Sequence, residues 1–391
     1  MTLASRMSVL GTETAFEVFA KAKALEAQGK DVVHLHIGAP DFETPPNIVE
    51  AGRKALADGY HKYTPAKGIP ELREAVAENV REYRGAEIDP DRVLIVPGGK
   101  PTMFYAIMMF GEPGKEIVYP NPGFPIYESL VHWSGASAVP YALAEEKGFS
   151  FSAEDVLAKI TPQTSLLIVN TPANPTGGVV PRSEMDALVA GLEAHPHVTI
   201  LCDEIYSRQL YDGEEHVSIV QYPSVADRAI LLDGWSKTYA MTGWRLGYGI
   251  WPESLVDHAE RLQINSSSCA NAATQVAAVE ALRGPQDAVD DMLRAFDERR
   301  AIIHAELNAI PGFSCVMPKG AFYAFPNTSG TGIESRVLED ELLNQAGVAC
   351  LAGTSFGAFG EGYMRFSYAN SADNIREGLR RVREHLENRA S

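Results

Sequence analysis

The chain has 391 residues, 45% of them hydrophobic, with 34 Lys and Arg against 51 Asp and Glu, a formal net charge of −17. That length is more than one ordinary core serves and points to a large domain plus a smaller one, while the negative charge argues against nucleic acid and anionic membranes as partners. No apolar run reaches membrane-span length, residues 1–20 carry Arg6, Glu13 and Glu17 rather than an unbroken signal core, and Cys202, Cys269, Cys315 and Cys350 form no CxxC pair, so a cytoplasmic protein with reduced thiols is expected.

From about Thr44 the pattern predicts helices over 47–58 and 69–83, a strand over 93–96, an apolar helix over 102–110 and strands over 116–119 and 166–169. A helix over 182–193 and strands over 198–201, 229–232 and 246–250 follow. Most strand runs are continuously apolar, as when helices cover both faces, so an α/β fold with a mostly parallel sheet wrapped by helices is expected. After about Gly284 the texture changes to a long charged helix over 285–309, short strands over 313–316 and 321–325, a last strand over 363–368 and an amphipathic helix over 372–388. These predict a large domain over 45–284 and a smaller α+β domain over 285–391, with residues 1–44 as an arm packed on the smaller one.

In an open parallel sheet, ligands collect at the carboxyl ends of the strands. The residues there are Gly98-Gly99-Lys100 ahead of a helix, a turn that leaves N–H groups open to an anion, and a rigid loop in which Pro172 and Pro175 hold Asn174. Next come Asp203, which could equally cap a helix, with Tyr206 three residues on, and Gly234-Trp235-Ser236-Lys237 with Arg245 behind it. Each piece alone has an ordinary structural reading as a turn, a cap or a solvated side chain.

Together, and in this order, Gly38 to Phe42, Lys62-Tyr63-Thr64 with Gly68 to Arg73, Gly98-Gly99-Lys100, Asn174 to Gly177, Asp203 to Tyr206, Ser236-Lys237 with Thr242 to Gly247, and Arg365 resemble the fold-type I aminotransferases. The likeness is to the aspartate-aminotransferase type with a Gly-Gly-Lys phosphate loop and covers essentially the whole chain. It implies a pyridoxal 5′-phosphate (PLP) enzyme that moves an amino group from an L-amino acid to a 2-oxo acid such as 2-oxoglutarate. A PLP-dependent carbon–sulfur β-lyase is the alternative on the same fold. By this resemblance Lys237 would form the Schiff base with PLP and, once freed, act as the base. Asp203 would pair with the pyridinium nitrogen, Tyr206 and Asn174 would bond the ring 3′-oxygen, and Phe124 would stack on the ring. Gly99 and Lys100 N–H groups, Ser236 and Arg245 would hold the phosphate. Arg365, with Asn174 and the Gly38 backbone, would hold the substrate α-carboxylate.

Tyr63 matches a residue that reaches the phosphate from a neighbouring subunit, so the resemblance implies a homodimer with shared active sites. Gly234 stands where many relatives place a Ser or Thr, so one phosphate hydroxyl would be missing. Two lysines that meet a distal carboxylate in dicarboxylate-selective relatives align by eye with Gly11 and Met108. A pocket lined by Met108, Phe124 and Phe356 would then favour neutral or aromatic donors over aspartate, because a buried carboxylate without a partner costs several kcal/mol.

Overall fold

A computed structural model describes residues 2–390; Met1 and Ser391, the outer ends of the two expected flanking segments, lie outside the described residues. The strands in chain order are β1 (Val33–His34), β2 (Val93–Val96), β3 (Glu116–Asn121), β4 (Ser137–Ala142), β5 (Thr164–Asn170), β6 (Thr199–Asp203), β7 (Ala229–Gly234), β8 (Gly247–Ile250), β9 (Tyr323–Ala324), β10 (Val348–Ala349), β11 (Leu351–Ala352) and β12 (Met364–Ser367). Seven form one sheet in the order β2-β8-β7-β6-β5-β3-β4. Neighbours pair in parallel except at β8, which runs antiparallel to both β2 and β7.

Successive strand residues face opposite sides of this sheet, and both sides are buried. Ile95, Val118, Leu167, Ile200 and Leu231 enter one core, whereas their neighbours Leu94, Ile117, Leu166, Leu201 and Ile230 enter another. That double burial is why the sequence runs are continuously apolar. The helix predicted from 102 begins at Lys100, with Pro101 in its first turn, where the missing N–H costs nothing.

The C-terminal part builds a separate three-stranded antiparallel sheet, β11-β12-β9. Phe296, Phe322, Leu338, Phe366 and Leu379 fill the core beneath it. β1 pairs in parallel with β10, Val33 opposite Val348, and places Leu35 in that same core. The start of the N-terminal arm takes another course. Its Ser5–Val9 turn lies beside the helix Ile126–Ser134, with Arg6 5.1 Å over the Trp133 ring and the Gly11 N–H bonded to Ser129 Oγ at 2.9 Å. The strand predicted over 313–316 is reduced to a single bridge between Ser314 and Asn327, because the chain there meets no strand long enough to continue a ladder. Among the described residues no helix is long and apolar enough to cross a membrane.

Where β2, β8 and β7 meet, backbones approach too closely for side chains. A Cβ on Gly247 would sit 2.6 Å from the Gly99 nitrogen, and one on Gly234 would sit 2.8 Å from Gly247 Cα. Gly247→Ala should therefore destabilise the fold by about 1–3 kcal/mol, the usual cost of overpacking. Gly243→Ala, with open space around it, should change the urea midpoint little; equal midpoints for the two variants would contradict the close approach.

Candidate active site

The carboxyl ends of the large sheet, the segment 37–39 and the edge of the small sheet enclose one cavity of about 560 Å³. Every residue given a cofactor or substrate role in the sequence reading lines it except Tyr63, which is 88% exposed elsewhere on the surface. β8 explains how Arg245 joins them. Because this strand is antiparallel, its starting end lies at the edge where its neighbours finish, so the residue two before Gly247 reaches the loops that follow β2 and β7. Arg245 has φ 54 and donates to the Thr242 carbonyl at 2.9 Å.

That corner can take an anion. The helix Lys100–Phe110 has no side-chain cap, so its first N–H groups stay open, and its dipole adds positive potential. Arg245 packs so close to Gly98 that a Cβ there would lie 2.3 Å from Nη2. Ser236 is buried beside it on the cavity wall. Position 234, where a further hydroxyl was expected to be missing, has no room for one because of the contact with Gly247.

Deeper in, Asp203 ends β6 and is 5% exposed. Tyr127 Oη donates to its Oδ2 at 2.7 Å and the Ile205 N–H to its Oδ1 at 3.2 Å, but among the described residues no cation meets it. Burial pushes its pKa up to about 6 against the pull of those two bonds. Behind it, Arg84 bonds Glu204 at 2.9 Å and also Asp233, while His216 meets Glu204 at 2.7 Å. The positive charge of this network goes to the other two carboxylates.

The Lys237 ammonium bonds the Gly38 carbonyl. Burial first, and Arg365 second, lower its pKa to about 8, so an appreciable fraction is neutral amine near neutrality. Tyr206 Oη lies 2.8 Å from Tyr323 Oη, and both phenols are buried. Arg365 on β12 is 3% exposed. It donates to Asn174 Oδ1 at 3.0 Å and to the His36 carbonyl, lies 4.5 Å from the Tyr323 ring and 4.8 Å from the Phe356 ring, and leaves Nε without a partner. A buried guanidinium with no carboxylate against it is a receptor for one.

Two expectations about the wall are corrected. Met108 does not line the cavity; it packs among the residues of the core behind α-helix Lys100–Phe110. Met103 lines it instead, because five residues along a helix turn a side chain through roughly 140°. Phe124 and Phe356 do line it. Gly11 does not, its N–H being engaged with Ser129. Residues not singled out beforehand include Tyr127, Tyr323 and Glu13. Tyr127 sits in the first turn of the helix Ile126–Ser134, its ring edge-on to that of Phe124 at 5.7 Å.

The sequence profile of the aminotransferases of class I and II matches residues 30–382. The chain belongs to this family. It is 36% identical over 387 residues to an aspartate aminotransferase of Pyrococcus horikoshii, covering 98% of this chain and 97% of that one. It is 35% identical over 389 residues to the aromatic-amino-acid aminotransferase 2 of Thermococcus litoralis, covering 99% and 98%. The solved aspartate aminotransferase from Rhizobium meliloti superposes with a TM-score of 0.94 at 34% identity, covering 99% of each chain. This aminotransferase accordingly uses pyridoxal phosphate and works on amino acids and 2-oxo acids. The cavity suits that cofactor: an anion-binding corner, a lone buried carboxylate and a buried amine stand on different walls of it.

The raised pKa of Asp203 has a sign that can be checked in the cofactor-free aminotransferase. The folded value lies above the unfolded one, so the group favours folding below pH 4 and this contribution is lost as pH rises through 6. Asp203→Asn removes the charge and keeps the shape. The variant's urea midpoint should exceed that of the parent apoprotein at pH 8, with the gap closing toward pH 4. A gap independent of pH would contradict the reading.

Proposed function

We propose that this aminotransferase prefers neutral or aromatic L-amino acids as donors and uses 2-oxoglutarate as an acceptor. The carrying observation is the fate of the cations around the cavity. Arg365 and Arg245 are proposed for the two anions that every substrate–cofactor pair brings, Lys237 for the chemistry, and the remaining Lys100 ammonium is ion-paired to Glu13. Among the described residues that line the cavity no uncommitted cation is left for a second substrate carboxylate, while Phe124, Phe356 and Met103 offer apolar surface.

The residue roles we propose follow the geometry. Bound pyridoxal phosphate supplies an aldehyde that condenses with amines and a ring that accepts the electron pair left when a Cα proton departs. Lys237 would hold the cofactor and would serve as the base toward substrate Cα, its amine already part-neutral near pH 8. Asp203, short of a cation in the protein, would meet the ring nitrogen. Tyr206 and Asn174 would donate to the ring oxygen, and Phe124 would pack against the ring. Ser236, Arg245 and the N–H groups of Gly99 and Lys100 would hold the phosphate. Arg365, steadied by Asn174, grips the α-carboxylate close to the Gly38 backbone.

In this reading residues 45–284 form the PLP-binding domain and 285–391 the smaller one, which the arm 1–44 joins through its helix Thr14–Glu26 and β1 after its first turn has crossed the helix Ile126–Ser134. Tyr63, 88% exposed, completes the phosphate site of a second copy. Leu3, Met7, Val9 and Phe16, all exposed on the arm, support such a homodimer. A cytoplasmic protein without nucleic-acid partners accords with the charge of −17.

Lys237→Ala should lose the visible absorbance of the lysine-bound cofactor and essentially all transamination; near-normal turnover would overturn the assignment. With 2-oxoglutarate as acceptor, kcat/KM should be higher for phenylalanine and leucine than for aspartate. A tenfold or greater preference for aspartate would sink the donor proposal.

A further inference from the structure

The acceptor creates a tension that the cavity itself resolves. 2-Oxoglutarate carries a second carboxylate, yet the half-exposed Lys100 on the cavity wall is held by Glu13. Glu13 immediately precedes the helix Thr14–Glu26, a place where a carboxylate ordinarily turns back to cap the helix. It makes no such cap bond. Its side chain, 17% exposed, turns into the cavity instead, and the Lys100 ammonium it meets lies 5.6 Å over the Phe124 ring. An acidic group there also bears on the reacting end, since its charge raises the pKa of Lys237 and of Arg365 against the larger effect of burial.

The anchoring of the arm before Glu13 is light. The Ser5–Val9 turn buries no residue, and its described ties to the helix Ile126–Ser134 are the Gly11 bond to Ser129 and the Arg6–Trp133 contact. A segment so held yields at little cost.

We infer that Glu13 sets substrate selectivity by standing in for a substrate's distal carboxylate: it pairs with Lys100 when the side chain in the pocket is neutral, and a dicarboxylic substrate must displace it to reach that ammonium. Glu13 thus acts as a built-in competitor. A neutral or aromatic side chain leaves the pair intact and packs on the apolar surface beside it. Glutamate and 2-oxoglutarate exchange one carboxylate for another, so they are accepted at the expense of the Glu13 bond. The inference rests on the donor reading above, since it assumes that no second cation serves the distal carboxylate.

The test is Glu13→Gln, a near-isosteric change outside the groups proposed to bind cofactor or α-carboxylate, with Glu13→Ala as a second variant and thermal unfolding as the check on folding. Freed of its partner, Lys100 should raise kcat/KM for aspartate and glutamate by about five- to tenfold, with phenylalanine changed less than twofold. Glutarate, which lacks the reacting amine, should bind the holoenzyme more tightly in the calorimeter by a similar factor, whereas 3-phenylpropionate should not. Adding Lys100→Met to Glu13→Gln should abolish the gain. Equal changes for aspartate and phenylalanine, an unchanged glutarate affinity in both folded variants, or a gain that survives Lys100→Met would each overturn the inference. A parent enzyme that prefers aspartate, but whose Glu13→Gln variant prefers it still more, would defeat the donor reading alone.

Discussion

Three carboxylates, Asp203, Glu204 and Asp233, are buried at the carboxyl edge of the large sheet, and positive charge is supplied to only two of them. Arg84 reaches Glu204 and Asp233, and His216 adds a second bond to Glu204. Asp203 is left with a phenol and a backbone N–H, which steady a carboxylate without neutralising it. Burying an unpaired charge is costly, and the group answers by holding its proton more tightly. A ligand with a protonated ring nitrogen would remove that cost. In the proposed placing of the cofactor, part of its affinity would then be relief of a penalty built into the fold.

The same logic runs with opposite sign on the facing wall. Arg365 is buried between two aromatic rings with one nitrogen unsatisfied, and its lowered pKa reports the same want of a counter-charge. Between these two lone charges lies Lys237, whose amine is partly discharged by burial and by Arg365 itself. One arginine thus has two parts in the proposed site: it would take a carboxylate, and it lowers the pKa of the amine beside it. Both depend on β12 meeting the segment 36–38, where the His36 and Gly38 carbonyls accept from Arg365 and Lys237.

Much of this was legible in the sequence because double burial makes parallel strands conspicuous. The runs 198–202 and 229–232 are apolar but for Thr199, and residues that line the cavity follow at or just after their ends. β4 was missed for the converse reason. It is an edge strand, half exposed, with Pro140 inside it, and so lacks the apolar continuity of its neighbours. The pocket wall misled at Met108 because an alignment by position ignores the angle at which a helix presents each residue; the structure puts Met103 there. Glu13 and Tyr323 come from segments far from the sheet in sequence, and only the tertiary path of the chain brings them to it.

The corner where Gly99, Gly234 and Gly247 touch has a bearing on how this protein can be redesigned. At Gly234 and Gly247 backbone meets backbone, and any side chain there would have to push the main chain aside whatever the substrate. A library that varied those two positions would yield mostly destabilised chains. The lining residues Glu13, Phe16, Leu351, Ser355 and Phe356, which come from the arm and the small sheet, are not glycines held in such a contact. New specificities are to be sought along that rim, with the sheet edge left as the fixed frame that holds the chemistry in register.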